Sequence, residues 1–204
     1  MQFDVIPPLQ VINKTITALE GRGVHAEITP DRNEALAKAR SMIPDGATVM
    51  TGASVTLDQI GFTDLLISGA HPWINLEAPL LDETDPARQF ELRRQAVLAD
   101  YFLGSVHAIT QTGETVTASA SGSQLPAYAF TAKNVIWVAG VQKIVPGLDA
   151  ATKRVREYVL PLEDRRMKST GARGSTIGKM LVFEREISPL RKITMILVNE
   201  ALGF

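Results

Sequence analysis

After Pro7-Pro8, apolar residues fall at Leu9, Ile12, Ile16 and Leu19, the spacing that lines one face of a helix. Gly21 and Gly23 stop it, and residues 24–28 read as a short strand. Asp31, with Glu34 three residues on, is a capping-box-like start for a helix whose buried stripe is Leu36, Ala39, Met42 and Ile43. Beyond the turn Pro44-Asp45-Gly46, residues 47–51 form a second strand that runs straight into Gly52. Short helices at 56–60 and 63–67, a strand at 73–76 and a helix opened by Asp85-Pro86 follow. That helix runs through Phe90, Arg94 and Val97 to Asp100. A strand at 101–103 precedes a hairpin of 108–110 and 114–117 around Gln111-Thr112-Gly113. Residues 135–139 (VIWVA) lack polar alternation, so they should be buried on both faces, as in a parallel sheet. Leu148, Ala151, Val155, Tyr158, Val159 and Leu162 form the cleanest amphipathic helix in the chain. The basic, glycine-dotted stretch 163–179 reads as a mobile loop without a metal. Strands at 180–183 and 193–198 and the tail 199–204 complete the pattern.

Strands alternating with helices predict an α/β fold with a mostly parallel sheet flanked by helices. No internal repeat or linker divides the chain, so a single domain over 1–204 is expected, with a helical and strand lead-in over 1–45 and an α/β core over 46–204. At 45 % apolar and 21 % charged residues, the composition is that of an ordinary globular protein able to hold a core without staples. The absence of cysteine excludes disulfides, a thiol nucleophile and thiolate-held metal clusters. A net charge of −1 gives no field toward nucleic acid or membrane. The first residues, MQFDV, carry no secretion-signal pattern, and no apolar run approaches a membrane span. A cytoplasmic location is expected. Charge is nevertheless uneven: between Arg165 and Lys192 eight Lys/Arg face two acids, either a solvated face or a basic wall beside an anion site.

Several motifs fail on context. Gly21-Arg22-Gly23-Val24-His25-Ala26 follows a helix and precedes a strand, the reverse of a dinucleotide-binding turn. Gly178-Lys179 misses the phosphate-loop pattern at two positions. His25, His71 and His107 have no ligand spacing, and no nucleophile elbow occurs.

Three segments survive. Thr51-Gly52-Ala53-Ser54-Val55-Thr56 leads from a strand through glycine into a helix, leaving N–H groups and the hydroxyls of Ser54 and Thr56 at a sheet edge suited to an anion. Gly52 serves equally well as a plain turn and Ser54 as a helix cap. Ser119-Ala120-Ser121-Gly122-Ser123-Gln124 is a second loop of small residues ahead of an apolar helical stretch at 125–130. Gly140-Val141-Gln142-Lys143 ends the most buried strand, where Lys143 either offers a charge at the same edge or faces solvent.

Together these pieces resemble the LUD domain, the lactate-utilisation protein C (LutC/YkgG) family. The matching stretches are Ile43-Pro44-Asp45-Gly46-Ala47-Thr48-Val49, Gly52-Ala53-Ser54-Val55-Thr56-Leu57, Arg93-Arg94-Gln95-Ala96, Ala99-Asp100-Tyr101-Phe102-Leu103 and Ala108-Ile109-Thr110. Val138-Ala139-Gly140-Val141-Gln142-Lys143-Ile144-Val145 and the ending Val198-Asn199-Glu200-Ala201-Leu202-Gly203-Phe204 complete the set, in family order. The resemblance implies a fold similar to the sugar-phosphate isomerase and coenzyme A transferase group (NagB/RpiA/CoA transferase-like). It also implies a link to lactate oxidation beside iron–sulfur and oxidoreductase partners. Two departures stand out: the cysteine cluster of many relatives has no counterpart near 167–181, and His107 and Ser123 stand where relatives tend to have asparagine.

Two functional readings remain open. In one, the protein is an accessory or ligand-binding subunit of lactate or organic-acid metabolism, with iron–sulfur or oxidoreductase partners. In the other it is an isomerase- or transferase-like enzyme acting on a phosphorylated or CoA-linked metabolite. Both place a small anionic metabolite against Gly52, Ala53, Ser54, Thr56, Gly122, Ser123 and Lys143. Glu200 and Asp100 are the candidate general bases. Neither reading calls for a cofactor, a metal, nucleic acid or a membrane, and both allow a homo-oligomer.

Overall fold

The computed structural model describes residues 2–204; Met1, which opens the expected lead-in, lies outside them. The strands are β1 (Val24–Thr29), β2 (Thr48–Thr51), β3 (Ile74–Asn75), β4 (Tyr101–Gly104), β5 (Ala108–Thr110), β6 (Thr115–Ser119), β7 (Asn134–Gly140), β8 (Ile144–Val145), β9 (Lys179–Phe183) and β10 (Lys192–Val198). The helices are α1 (Leu9–Glu20), α2 (Arg32–Ser41), α3 (Val55–Gln59), α4 (Phe62–Ser68), α5 (Ala78–Asp82), α6 (Pro86–Ala96), α7 (Leu148–Arg154) and α8 (Leu160–Ser169). Six strands make one sheet in the order β1-β10-β7-β4-β2-β3, and every neighbouring pair is parallel. The mostly parallel α/β fold expected from the alternation of elements is the one observed.

Strand β7 sits inside this sheet, between β10 and β4. Because successive side chains point to opposite faces, Val135, Trp137 and Ala139 enter one core cluster and Ile136 and Val138 the other. Trp137 is fully buried, edge-on to Tyr128 at 5.5 Å and to Phe183 at 5.2 Å. Helices α2, α3 and α4 cover the second face through Ala35, Ala39, Leu57, Phe62 and Leu66. The first face is covered by α1, through Ile12 and Leu19, together with residues of α5, α6, β5 and β9. Local chemistry supports the boundaries: the Asp31 carboxylate accepts from Asn33 N and Glu34 N at the start of α2, and Asp85 caps α6 ahead of Pro86.

The expected hairpin forms, with Ala108 opposite Val116, but it belongs to a second sheet of order β8-β5-β6-β9. Strand β9 pairs antiparallel with β6 instead of joining the parallel sheet. This smaller sheet has its own core of Phe3, Ala108, Val116, Val145, Ala151 and Val155.

The stretch 163–179 is not one loop. The helix begun at α7 passes through a π turn (Val155–Val159) and continues as α8 to Ser169. No residue of α8 is buried, so there is no apolar stripe for periodicity to reveal. Ion pairs one turn apart support it instead, Arg166 to Glu163 at 2.7 Å and Lys168 to Asp164 at 2.6 Å. Pro161, which would interrupt a regular helix, falls just after the wider π turn. The helical stretch expected at 125–130 forms as a short helix that passes into a π turn (Ala127–Thr131), and α5 had no sequence signal. Among the described residues no helix is long and apolar enough to cross a membrane.

Candidate functional site

Strands β2, β4 and β7 are neighbours in the parallel sheet and end on the same edge, where open sheets usually bind ligands. Three segments leave them there: Gly52-Ala53-Ser54 after β2, Ser105 after β4, and the short 3-10 turn Val141–Lys143 after β7. They line a cleft of about 420 Å³. Its other walls include Glu77 and Arg93, His107 and the Ser119–Gln124 loop, Arg166 of α8, and the tail residues Gly203 and Phe204.

Lys143 is 2 % exposed, and no carboxylate among the described residues pairs with it. Its Nζ donates to Thr56 Oγ1 and to Ser105 Oγ, each at 3.0 Å. Burial, helped by the Arg154 guanidinium, holds its pKa well below the ordinary lysine value. Gln142 Nε2 donates to Leu202 O at 2.7 Å, and Gly203 N donates to Gln59 Oε1 at 2.6 Å. These bonds lay the tail across the amine. Gly203 has φ +64°, and a Cβ there would come 3.0 Å from Lys143 Nζ and would collide with Thr56 Oγ1. Glycine at 203 is therefore required both by the backbone and by the space around the amine.

A second buried cation lies behind this one. Arg154, with no exposed surface, donates to His107 O at 2.5 Å and to Phe3 O at 3.2 Å. Its guanidinium lies 5.1 Å from the Tyr158 ring centre. Burial drops its pKa to about 10, so it remains charged at neutral pH. His107 Nδ1 accepts from Ala118 N at 2.9 Å, which places its proton on Nε2. Part of the residue opens to the cleft, but protein surrounds the imidazole. Burial and the nearby Lys143 and Arg154 push its pKa down to about 3, so it is neutral in the physiological range.

Glu77 accepts a hydrogen bond from Thr51 Oγ1. Burial raises its pKa, opposed by that hydrogen bond. Arg166 lines the same cleft and is paired with Glu163. It is the only cation of the basic run 165–192 among the lining residues. Arg191 of that run instead donates to the carbonyls of Ala127, Tyr128, Ala129 and Ala132. Among the described residues no group of three or more His, Asp or Glu is arranged to hold a metal ion.

The sequence-predicted segments thus meet: Gly52, Ala53, Ser54, Thr56, Ser123 and Lys143 all line the cleft. Gly122, at φ +85°, shapes the turn of its loop, and a Cβ there would strike the Lys179 side chain. Gly52 lets the two loops touch, since a Cβ on it would meet Gln124 Oε1 at 2.5 Å. The expected helix-dipole contribution is small, because α3 has five residues and Ser54 Oγ is occupied as its cap, accepting from Leu57 N at 3.3 Å.

The two candidate bases do not join these residues. Asp100 stands before β4, on the opposite edge of the sheet, where Oδ2 accepts from Thr48 N at 3.2 Å and Thr48 Oγ1 at 2.7 Å. Glu200 follows β10 but turns toward α2, where it accepts from Arg32 N at 3.1 Å and Arg32 Nη2 at 2.7 Å. Those hydrogen bonds hold both carboxyls below their usual pKa. Residues that sequence reasoning missed are Glu77, Arg93, Ser105 and Arg154, with His107 set aside there for want of ligand spacing. Only Ser105 had a usable signal, since it follows β4 as Gly52 follows β2.

The model of the LUD domain family matches residues 12–197. No curated protein matches the chain significantly. Among solved structures, a DUF162 family protein from Deinococcus radiodurans is similar in fold, with a TM-score of 0.56 at 11 % identity over 94 % of this chain and 98 % of that one. The eIF2B beta structure from Chaetomium thermophilum matches at a TM-score of 0.31 and 18 % identity, over 70 % of this chain and 46 % of that one.

Proposed function

The chain belongs to the LUD domain family, and from that premise we propose that it is a single-domain cytoplasmic accessory subunit that binds a small organic anion in the cleft, in lactate or related organic-acid metabolism. The observation that carries this reading is Lys143: a lysine 2 % exposed, without an acidic partner, lining a cleft of about 420 Å³. A buried ammonium is costly unless a counter-charge accompanies it. A carboxylate or phosphate entering the cleft supplies that charge, so binding and proton uptake by Lys143 reinforce each other. Arg93 and Arg166 add positive charge to the walls, and Gly52 to Ser54 with Ser121 and Ser123 supply small, hydrogen-bonding surface. Iron–sulfur or oxidoreductase subunits are the partners that the LutC-like resemblance suggests for such an accessory protein.

The test is thermal unfolding with lactate, pyruvate, inorganic phosphate and acetyl-CoA. A ligand present at roughly 100 times its Kd adds about 2.7 kcal/mol, a rise of about 5–10 °C for a chain of this size. Lys143→Met should remove most of that rise. No shift with any of the four, or an equal shift in the variant, overturns the reading. One observation favours a second reading, an isomerase- or transferase-like enzyme on a phosphorylated or CoA-linked metabolite. Glu77, biased toward its acid form, and Lys143, biased toward its free amine, share one cleft, a pairing suited to proton transfer.

A further inference from the structure

The surroundings of Lys143 ask for more than a counter-ion. Its nitrogen is tetrahedral, with one direction used by Cε and two by hydrogen bonds to the hydroxyls of Thr56 and Ser105. One direction is left over. The hydroxyls fix the amine without supplying charge, and Gly203 keeps side-chain bulk away from it. Arg154, hydrogen-bonded behind His107, opposes a second positive charge nearby. A lowered pKa enlarges the unprotonated fraction of the amine, and that fraction is a nucleophile toward carbonyl carbon. The cationic side chains of the walls, Arg93 and Arg166, meanwhile favour a carboxylate or phosphate. A ligand that carries both features satisfies both halves of the cleft.

Resting on the anion-binding reading above, we propose that a bound 2-oxo acid condenses with Lys143 to form an imine. The amine lone pair adds to the ketone carbon, forming the C–N bond while the carbonyl π pair moves to oxygen. That oxygen takes up a proton, for which Glu77 is a donor within the same cleft. The nitrogen gives one proton back to the carboxylate, which passes it to the carbinolamine hydroxyl as that group leaves as water, and the iminium nitrogen then releases its remaining proton to restore the acid. The net change is amine plus ketone giving imine plus one water, with no oxidation or reduction. Hydrolysis reverses it, so the step holds a ligand without consuming it. The same step would activate the carbon next to the imine in a protein that also performs chemistry there.

The experiment incubates the whole protein with pyruvate and sodium cyanoborohydride, which reduces an imine to a stable secondary amine. The expected result is one reduced adduct per chain, mapped by peptide mass spectrometry to Lys143. Surface lysines such as Lys133, which is exposed, should be at least tenfold less modified, because no cleft beside them holds the oxo acid. Lys143→Met, with folding checked by circular dichroism, should show no adduct above that surface background. Lactate, which keeps the carboxylate but has no carbonyl, separates the two levels of the argument. If lactate and pyruvate both raise the unfolding temperature but no adduct forms at Lys143, the imine is overturned and the anion site stands. If neither raises it and no adduct forms, both fall.

Discussion

Where the strands of the parallel sheet begin, Asp100 accepts two hydrogen bonds from Thr48 and has Lys133 nearby; where they end, Lys143 has two hydroxyls and no acid. Both residues sit on loops next to central strands, and both drew attention in the sequence. The first is a carboxylate made more acidic by its partners. The second is an amine made less basic by its burial. A polar group whose partners are all supplied by the fold has a structural task that is already complete. A buried one whose natural partner is missing leaves room for something from outside.

Replacing the shared support should affect both edges together. Trp137→Ala removes the ring that joins Tyr128 to Phe183, and large-to-small changes at such sites cost about 3–5 kcal/mol. Denaturant unfolding should show that loss, accompanied by weaker ligand binding. A loss under about 1 kcal/mol would mean that the two edges do not depend on this packing.

Lys143→Met should instead stabilise the ligand-free protein at neutral pH, by about 1–3 kcal/mol, since it removes a poorly solvated amine. The sign follows from linkage. The folded pKa lies below the unfolded value of 10.5, so the unfolded chain binds more protons between the two. Wild-type stability therefore rises with pH across that window. The advantage of the variant should shrink as pH approaches 10.5 and disappear above it. A destabilised variant would show that the amine is satisfied where it is.

Asp100→Ala should cost about 1 kcal/mol, the value of a partly solvated pair of hydrogen bonds, and should leave lactate and pyruvate binding unchanged. Its folded pKa lies below 3.8. The stabilisation is thus present above that pH and is lost as acidity protonates the folded carboxylate. Ligand shifts measured by thermal unfolding on this variant would refute the division between the edges if they disappeared.

Periodicity along the chain determined a good deal. The unbroken apolar run of β7 required burial on both faces, and Trp137 and Val138 are fully buried. The stripe of α1, the cap at Asp31 and the small residues at 52–54 and 119–123 were also legible, because each depends on neighbours within a turn or two. Parallel strands that share an edge brought those loops together, so most of the small-residue lining of the cleft could be anticipated. Apart from Lys143, the charged groups in and behind the cleft could not. Glu77 sits beside Thr51 across 26 residues, and Arg154 reaches His107 across 47; a lone charged residue carries no periodic sign of such a partner. Strand β9 likewise gave no indication that it would leave the parallel sheet for β6, and α8 is held by charge pairs that leave no apolar stripe. Local sequence determines which segments bury themselves. Which groups they bury without partners depends on contacts made only when distant segments pack.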